Sequence, residues 1–217
     1  MKKVYVFDAY GTLFKVSTEI PGLKKRSVAA VNRIQELWRV RQLEYSWLMT
    51  CMGKWNNFND VTERALDYAM AYYKVDDPWL KEQLLSIYAS PSTFDDVLPF
   101  LKKLAKEDRQ TAILSNGVEE TLIEGTKVAK VNKLIGQIIS ADKVRVYKPA
   151  RSMYNLVNQT YQCNSENVVF FSGNAWDVCG AASFGFNTVW VNRTGVPFEE
   201  LDCEPGQVVS DLSEYRE

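Results

Sequence analysis

The sequence predicts an α/β fold: a parallel sheet flanked by helices, with a helical subdomain inserted into it. Three observations carry this. Five short runs rich in Val, Ile, Phe and Trp have the length and apolarity of buried strands, at 3–10, 111–116, 136–140, 168–173 and 188–193. Helical periodicity lies between the later runs, and strands alternating with helices pair in parallel through right-handed crossovers. The stretch from 16 to 90 holds no convincing strand, so a helical insert follows the first strand before the sheet resumes.

Each element has its own signal. The first strand, "KVYVFDAY", is unbroken apolar sequence up to Asp8. In the insert, 24–52 reads as one or two amphipathic helices. The stretch 58–75 reads as another, with Asp60 at N-cap and Glu63 at capping-box spacing, and 77–90 reads as a third. "DDVLPFLKKLAKE" (95–107) starts acidic and ends basic, as the helix dipole favours. "PARSMYNLVNQTYQ" (149–162) opens on Pro149 and puts Met153, Leu156, Val157 and Tyr161 on one face. "AWDVCGAASFGF" (175–186) is rich in small residues that suit close packing on a sheet. The tail after Gly195 reads as turns and a short terminal segment. The expected division is a core of 1–15 and 91–217 with a helical subdomain of 16–90.

Bulk composition narrows the function. The chain has 217 residues, 46% of them hydrophobic, and a formal net charge of −1. That is enough for one sizeable core, and neither half is basic enough for nucleic acid to be the main partner. The apolar run after "MKK" stops at Asp8, too short for a signal peptide, and no later run is long enough to cross a membrane. The four cysteines, Cys51, Cys163, Cys179 and Cys203, are scattered without metal-ligand spacing, so reduced thiols in a cytoplasmic protein are expected. There is no histidine. This excludes Ser-His-Asp and Cys-His nucleophile systems and any histidine base. Acid–base chemistry then falls to Asp, Glu, Lys, Tyr or water.

In an open parallel sheet, ligands bind beyond the carboxyl ends of the strands. The polar residues there are Asp8, Tyr10 and Thr12 after the first strand, and Ser115, Asn116 and Gly117 after the second. Lys148 follows the third, and Ser172, Asn174 and Asp177 follow the fourth. Asp8 reads either as a turn or N-cap aspartate or as a carboxylate nucleophile. With an ordinary pKa of about 3.9 it needs no histidine to ionise it.

"DAYGTL", "LSNG", "YKP" and "SGNAWD", in this order and with a helical insert after the first, resemble the four motifs of the haloacid dehalogenase superfamily over nearly the whole chain. The resemblance implies a Rossmann-like core with a helical cap. It also implies that Asp8 is the nucleophile, that Thr12 orients it, and that Ser115 and Lys148 hold the anion. Most of that superfamily transfers phosphoryl groups, using a second acid two residues after the nucleophile and further acids in the last motif to hold Mg²⁺. Here Tyr10 replaces the second acid and Ser172-Gly173 replaces Gly-Asp. The tyrosine pattern is instead similar to the L-2-haloacid dehalogenase branch. "ELWRVRQLEYSWL" (36–48) resembles that branch's cap helix, which makes Arg39 the candidate cap arginine and Arg41 the alternative. Tyr154 falls six residues after Lys148, as in the branch. Val40 stands where the branch commonly has glutamine, and Gly173 where it has serine.

The resemblance therefore implies hydrolysis of short L-2-haloacids, with no cofactor or metal, through an aspartyl ester on Asp8. A haloacid is an anion, and its repulsion from Asp8 is roughly 4 kcal/mol at about 4 Å and an effective dielectric near 20. Lys148 and the backbone N–H groups of Ser115 and Asn116 offset it. Arg39 is placed to receive the departing halide, with a solvated helix arginine as the alternative. Asp177 is the candidate for activating water beside Ser172 and Asn174, or else an ion-pair partner of Lys148. Tyr154 anchors Lys148 or the water network, or is a core tyrosine. Tyr10, Leu43, Phe58 and Trp176 match the branch's apolar pocket, with simple core packing as the rival. The alternatives are an Mg²⁺-dependent small-molecule phosphatase and a non-catalytic phospho-receiver or ligand-binding domain. The partners implied are the haloacid, halide and water, with neither nucleic acid nor membrane, and a homodimer is possible.

Overall fold

The computed structural model describes residues 2–15, 20 and 28–217. A six-stranded parallel sheet forms its centre. β1 (Val4–Phe7) lies between β4 (Gln110–Ser115) and β6 (Val168–Ser172). β5 (Gln137–Ser140) flanks β4, and β7 (Asn187–Val191) and β8 (Gln207–Val209) extend the other side, giving the order β5-β4-β1-β6-β7-β8. All four residues of β1 are buried, because helices cover both faces of the sheet. Phe7 sits opposite Ile113 and Phe171, so Asp8 emerges level with the ends of both neighbours, at the point where the strand order reverses.

Two apolar layers sandwich the sheet. On one face Tyr5, Phe7 and Phe171 pack against Phe100, Leu101 and Leu104 of α4 (Val97–Lys106), whose buried positions keep helical spacing. On the other face Val4, Val6 and Phe170 pack against Tyr154, Leu156 and Val157 of α6 (Arg151–Tyr161). α6 begins two residues after Pro149, because Ala150 still has extended backbone. α7 (Ala175–Phe184) follows β6 and ends at Gly185, whose φ of +113° suits a residue without Cβ.

Three helices make up the excursion after β1: α1 (Val28–Cys51), α2 (Phe58–Tyr72) and α3 (Pro78–Ala89). At its root an antiparallel ribbon pairs β2 (Phe14–Lys15) with β3 (Ser92–Thr93). Residues 16–19 and 21–27 of the expected subdomain lie outside the described residues. α1 is buried along Val31, Ile34, Trp38, Gln42 and Ser46, one stripe of the helix.

Several expectations need correction. The cap of α2 is Asn57, whose side chain accepts from the Asp60 N–H at 3.0 Å, so Asp60 lies inside the first turn. Glu63 bonds Lys81 instead of closing a capping box. β8 was expected to be turn. It is short, and the β7 edge supplies its hydrogen bonds, so local sequence carries little signal for it. α5 (Glu119–Val128) carries no apolar stripe beyond Leu122, and its Gly125 faces Pro91. The cysteines are not all reduced: Cys179 of α7 and Cys203 form a disulfide, their Cα atoms 5.6 Å apart, while Cys51 and Cys163 are free. Cys179 and Cys203 lie 24 residues apart and meet only because the chain after β7 returns over α7. No helix among the described residues is long and apolar enough to cross a membrane.

Candidate active site

Asp8 closes β1 and is held from four directions. Its own N–H donates to the Phe171 carbonyl at 2.9 Å. Thr12 Oγ1 and Asn174 Nδ2 each donate to Oδ2 at 2.9 Å, and Lys148 Nζ donates to Oδ1 at 3.0 Å. The chain turns immediately after Asp8, with Gly11 at φ +87°, and this brings Thr12 back onto the carboxylate. Thr12 is fixed in turn by the Gly173 N–H, which donates to its Oγ1 at 2.8 Å. A Cβ at Gly173 would meet the Gly11 carbonyl oxygen, so a side chain there would force this turn to move.

Lys148 is 1% exposed and bridges two carboxylates, with Asp177 Oδ2 at 2.7 Å. Burial alone would lower its pKa. Asp177 and Asp8 outweigh that and hold it above the ordinary lysine value, so the ammonium stays charged. Asp177 is fully buried at the start of α7. Tyr154 OH donates to its Oδ1 at 2.8 Å, and Ser172 Oγ lies 3.4 Å from Oδ2. Burial pushes the Asp177 carboxyl up to about 6, with Lys148 pulling it down and Asp8 adding to the rise. Burial likewise pushes Tyr154 far above the ordinary phenol value, with Asp177 reinforcing it, so it serves as a donor.

In front of Asp8 lies a small cavity of about 20 Å³, room for a water-sized guest. Tyr10, Leu43, Phe58, Trp176, Ser115, Asn116 and Arg39 all line it, together with Asp8, Lys148 and Asn174. Arg39 reaches in from α1 and donates to Asn174 Oδ1 at 3.2 Å. Arg41 turns away, to Glu44 and over the Tyr68 ring, which resolves the choice between the two arginines. Val40 is 59% exposed and does not line the cavity, so the glutamine-to-valine departure leaves this pocket untouched.

Thr12, Ser172, Tyr154 and Asp177 sit behind the wall and hold its members, so all the expected site residues converge on one place. Tyr10 OH donates to the Tyr88 carbonyl at 3.0 Å, and burial raises its pKa above the ordinary phenol value. It therefore offers no second acid to Asp8. Asp8 and Asp177 are the two carboxylates here, both committed to one ammonium. That donor set is a poor match to Mg²⁺ coordination with a phosphate. Among the described residues, no group of three or more His, Cys, Asp or Glu gathers to hold a metal.

The sequence reading missed Gln42, Thr62 and Tyr88, which back Arg39 and Tyr10, and the role of Gly180. A Cβ at Gly180 would run into the Tyr154 hydroxyl and Pro149. The available signal was Gln42 falling on the α1 stripe four residues after Trp38.

Fold and site together are those of a hydrolase with a buried aspartate at the end of its first strand. A family model for haloacid dehalogenase-like hydrolases matches residues 2–185, and the chain belongs to that family. It is 39% identical over 210 residues to (S)-2-haloacid dehalogenase 4A of Burkholderia cepacia, covering 96% of this chain and 91% of that one. A crystal structure of a dehalogenase with an intermediate complex superposes with a TM-score of 0.90 at 38% identity, covering 98% of this chain and 95% of that one. The L-2-haloacid dehalogenase of Xanthobacter autotrophicus with chloropropionic acid covalently bound gives 0.85 at 30% identity, covering 97% and 95%.

Proposed function

We propose that this enzyme hydrolyses short L-2-haloacids to 2-hydroxy acids with inversion at C2. One observation carries the reading. Asp8 is held by a lysine, a threonine and an amide at the wall of a small, largely apolar cavity, with an arginine entering from the helical excursion. Such a site meets a small anion whose reaction expels a second anion.

In the first step an Asp8 carboxylate oxygen bonds to C2 from the face opposite the halogen. The carbon–halogen bond breaks and its electron pair leaves with the halide, toward Arg39. Lys148 and the N–H groups around Ser115 and Asn116 hold the substrate carboxylate. In the second step water adds to the Asp8 carbonyl carbon and gives its proton to Asp177, which the raised carboxyl pKa supports. The tetrahedral intermediate collapses, the C2 oxygen leaves with that proton, and the water's second proton passes from the Asp8 carboxyl to solvent, which restores the carboxylate. Tyr154 and Ser172 hold Asp177; Thr12 and Asn174 hold Asp8. Tyr10, Leu43, Phe58 and Trp176 keep the pocket dry, which strengthens the charge interactions.

We assign 16–90 as a cap over a core of 1–15 and 91–217. The ribbon at Phe14–Lys15 and Ser92–Thr93 supports these bounds, and the small cavity supports cap movement to admit substrate. We further propose a cytoplasmic homodimer. Exposed Val40, Leu48 and Met52 on α1 and Tyr68 and Tyr72 on α2 support the dimer. Cell fractionation and sedimentation equilibrium test these two points.

The decisive assay measures free halide from L- and D-2-chloropropionate without metal, beside p-nitrophenyl phosphate with Mg²⁺. Halide from the L form alone is expected. Metal-dependent phosphate release with no halide would overturn the reading. In a single turnover in ¹⁸O water the first product carries unlabelled oxygen, since that atom comes from Asp8; label there excludes the ester route.

A further inference from the structure

We propose that Gln42 is a positioning residue for the leaving halide: its neutral amide aims the Arg39 guanidinium into the cavity without cancelling its charge. This rests on the assignment of Arg39 to the departing anion.

Gln42 is fully buried (0% exposed), on the stripe of α1 that otherwise packs Val31, Ile34 and Trp38. Both ends of its amide are engaged. Oε1 accepts from Arg39 Nη1 at 2.7 Å and from Tyr88 OH at 3.2 Å, while Nε2 donates to Thr62 Oγ1 at 2.7 Å. The network sets the orientation. Thr62 Oγ1 spends its own hydrogen on the Phe58 carbonyl at 2.6 Å, so toward Gln42 it can only accept. A guanidinium can only donate, so the reversed amide would set N–H against N–H at Arg39. Tyr88 then ties this group to the turn after Asp8, since its carbonyl accepts from Tyr10 OH at 3.0 Å.

Both anchors of Arg39 are neutral carbonyl oxygens. Nη1 meets Gln42, and Nη2 meets Asn174 Oδ1, whose own amide nitrogen holds Asp8. Among the described residues Arg39 pairs with no carboxylate, whereas neighbouring Arg41 pairs with Glu44. A carboxylate at position 42 could make the same hydrogen bond, but it would satisfy the cation before any halide arrived. An amide supplies direction and leaves the charge for the anion that forms as the carbon–halogen bond breaks.

The test is bromide binding by calorimetry on the intact enzyme, with kcat and KM for L-2-chloropropionate. Gln42→Glu keeps the shape and adds a charge. It is expected to weaken bromide binding and lower kcat, each by about a hundredfold, with KM changing much less. Thr62→Val adds no charge but releases the amide, and is expected to weaken bromide binding roughly fivefold. Circular dichroism and melting report folding separately. Parental bromide affinity in a folded Gln42→Glu overturns the proposal. If that variant does not fold, unchanged affinity in Thr62→Val overturns it. Absence of bromide binding by the parent also overturns it, together with the Arg39 assignment, whereas the dehalogenase reading stands or falls on halide release by the parent.

Discussion

Replacing Lys148 with methionine keeps the unbranched apolar stem of the side chain and removes the one charge that lies between two buried carboxylates. Nζ is 3.0 Å from Asp8 Oδ1 and 2.7 Å from Asp177 Oδ2. At an effective dielectric of about 20, each contact is worth roughly 5–6 kcal/mol in Coulomb energy before desolvation. Breaking such a pair leaves uncompensated buried charge, at a net cost of about 3–5 kcal/mol. The pH dependence follows from the sign of the carboxylate shifts. Without the cation, the Asp177 carboxyl, which burial already pushes up against the pull of Lys148, rises further above the unfolded value of about 3.9. The folded variant then binds more protons than its unfolded chain, so stability is lost as pH rises through the window between the two values. The difference from the parent in urea denaturation should be largest near pH 8 and shrink toward pH 4. Catalysis should suffer as well, because haloacid and Asp8 then meet without a counter-charge. A repulsion of roughly 4 kcal/mol corresponds to about a thousandfold slower halide release. A variant within about 1 kcal/mol of the parent at pH 8, or within tenfold in rate, refutes this account of Lys148.

Three further outcomes are expected. Since Asp177 must be ionised to take the water's proton and its carboxyl is pushed up to about 6, the rate of ester hydrolysis in a single turnover, and kcat where that step limits, should fall tenfold per pH unit below that value. A flat profile down to about pH 5 excludes Asp177 as the base. Tyr154→Phe keeps the ring against Phe170 and Phe186 but removes the 2.8 Å bond to Asp177, so the acid limb should move to higher pH. Its stability near pH 8 should drop by about 1.5–3 kcal/mol, the worth of a hydrogen bond to a charged group. Gly180→Ala drives a methyl into that hydroxyl and should lower kcat more than Tyr154→Phe does, with a stability loss of about 1–3 kcal/mol on denaturant titration.

Much of this protein could be read along the chain. The five long strands announced themselves because a strand covered on both faces is apolar throughout, and Asp8 stood out as the charge ending one of them. Local chemistry also marked the helices whose apolar residues recur at helical spacing, such as α4 and α6. The short elements were not legible. β8 and the ribbon of β2 with β3 exist because a distant edge completes their hydrogen bonds, and α5 has little apolar face to signal it. The Asp60 reading failed because Asn57 is an equally good cap three residues earlier.

Residue types along the chain pointed to the kind of chemistry: a candidate carboxylate nucleophile in a chain without histidine, a tyrosine where a second acid would stand, and polar residues at the ends of strands that a parallel sheet must gather. Which arginine enters the cavity, its bond to Gln42, the place of Asp177 behind Lys148 and the meeting of Cys179 with Cys203 were visible only in the folded chain. The reason is physical. Residue type and spacing set what a side chain can do and which face of its own element it occupies. Its partner comes from another element, and the choice between Arg39 and Arg41 depends on how α1 is turned when Trp38 and Gln42 pack inward.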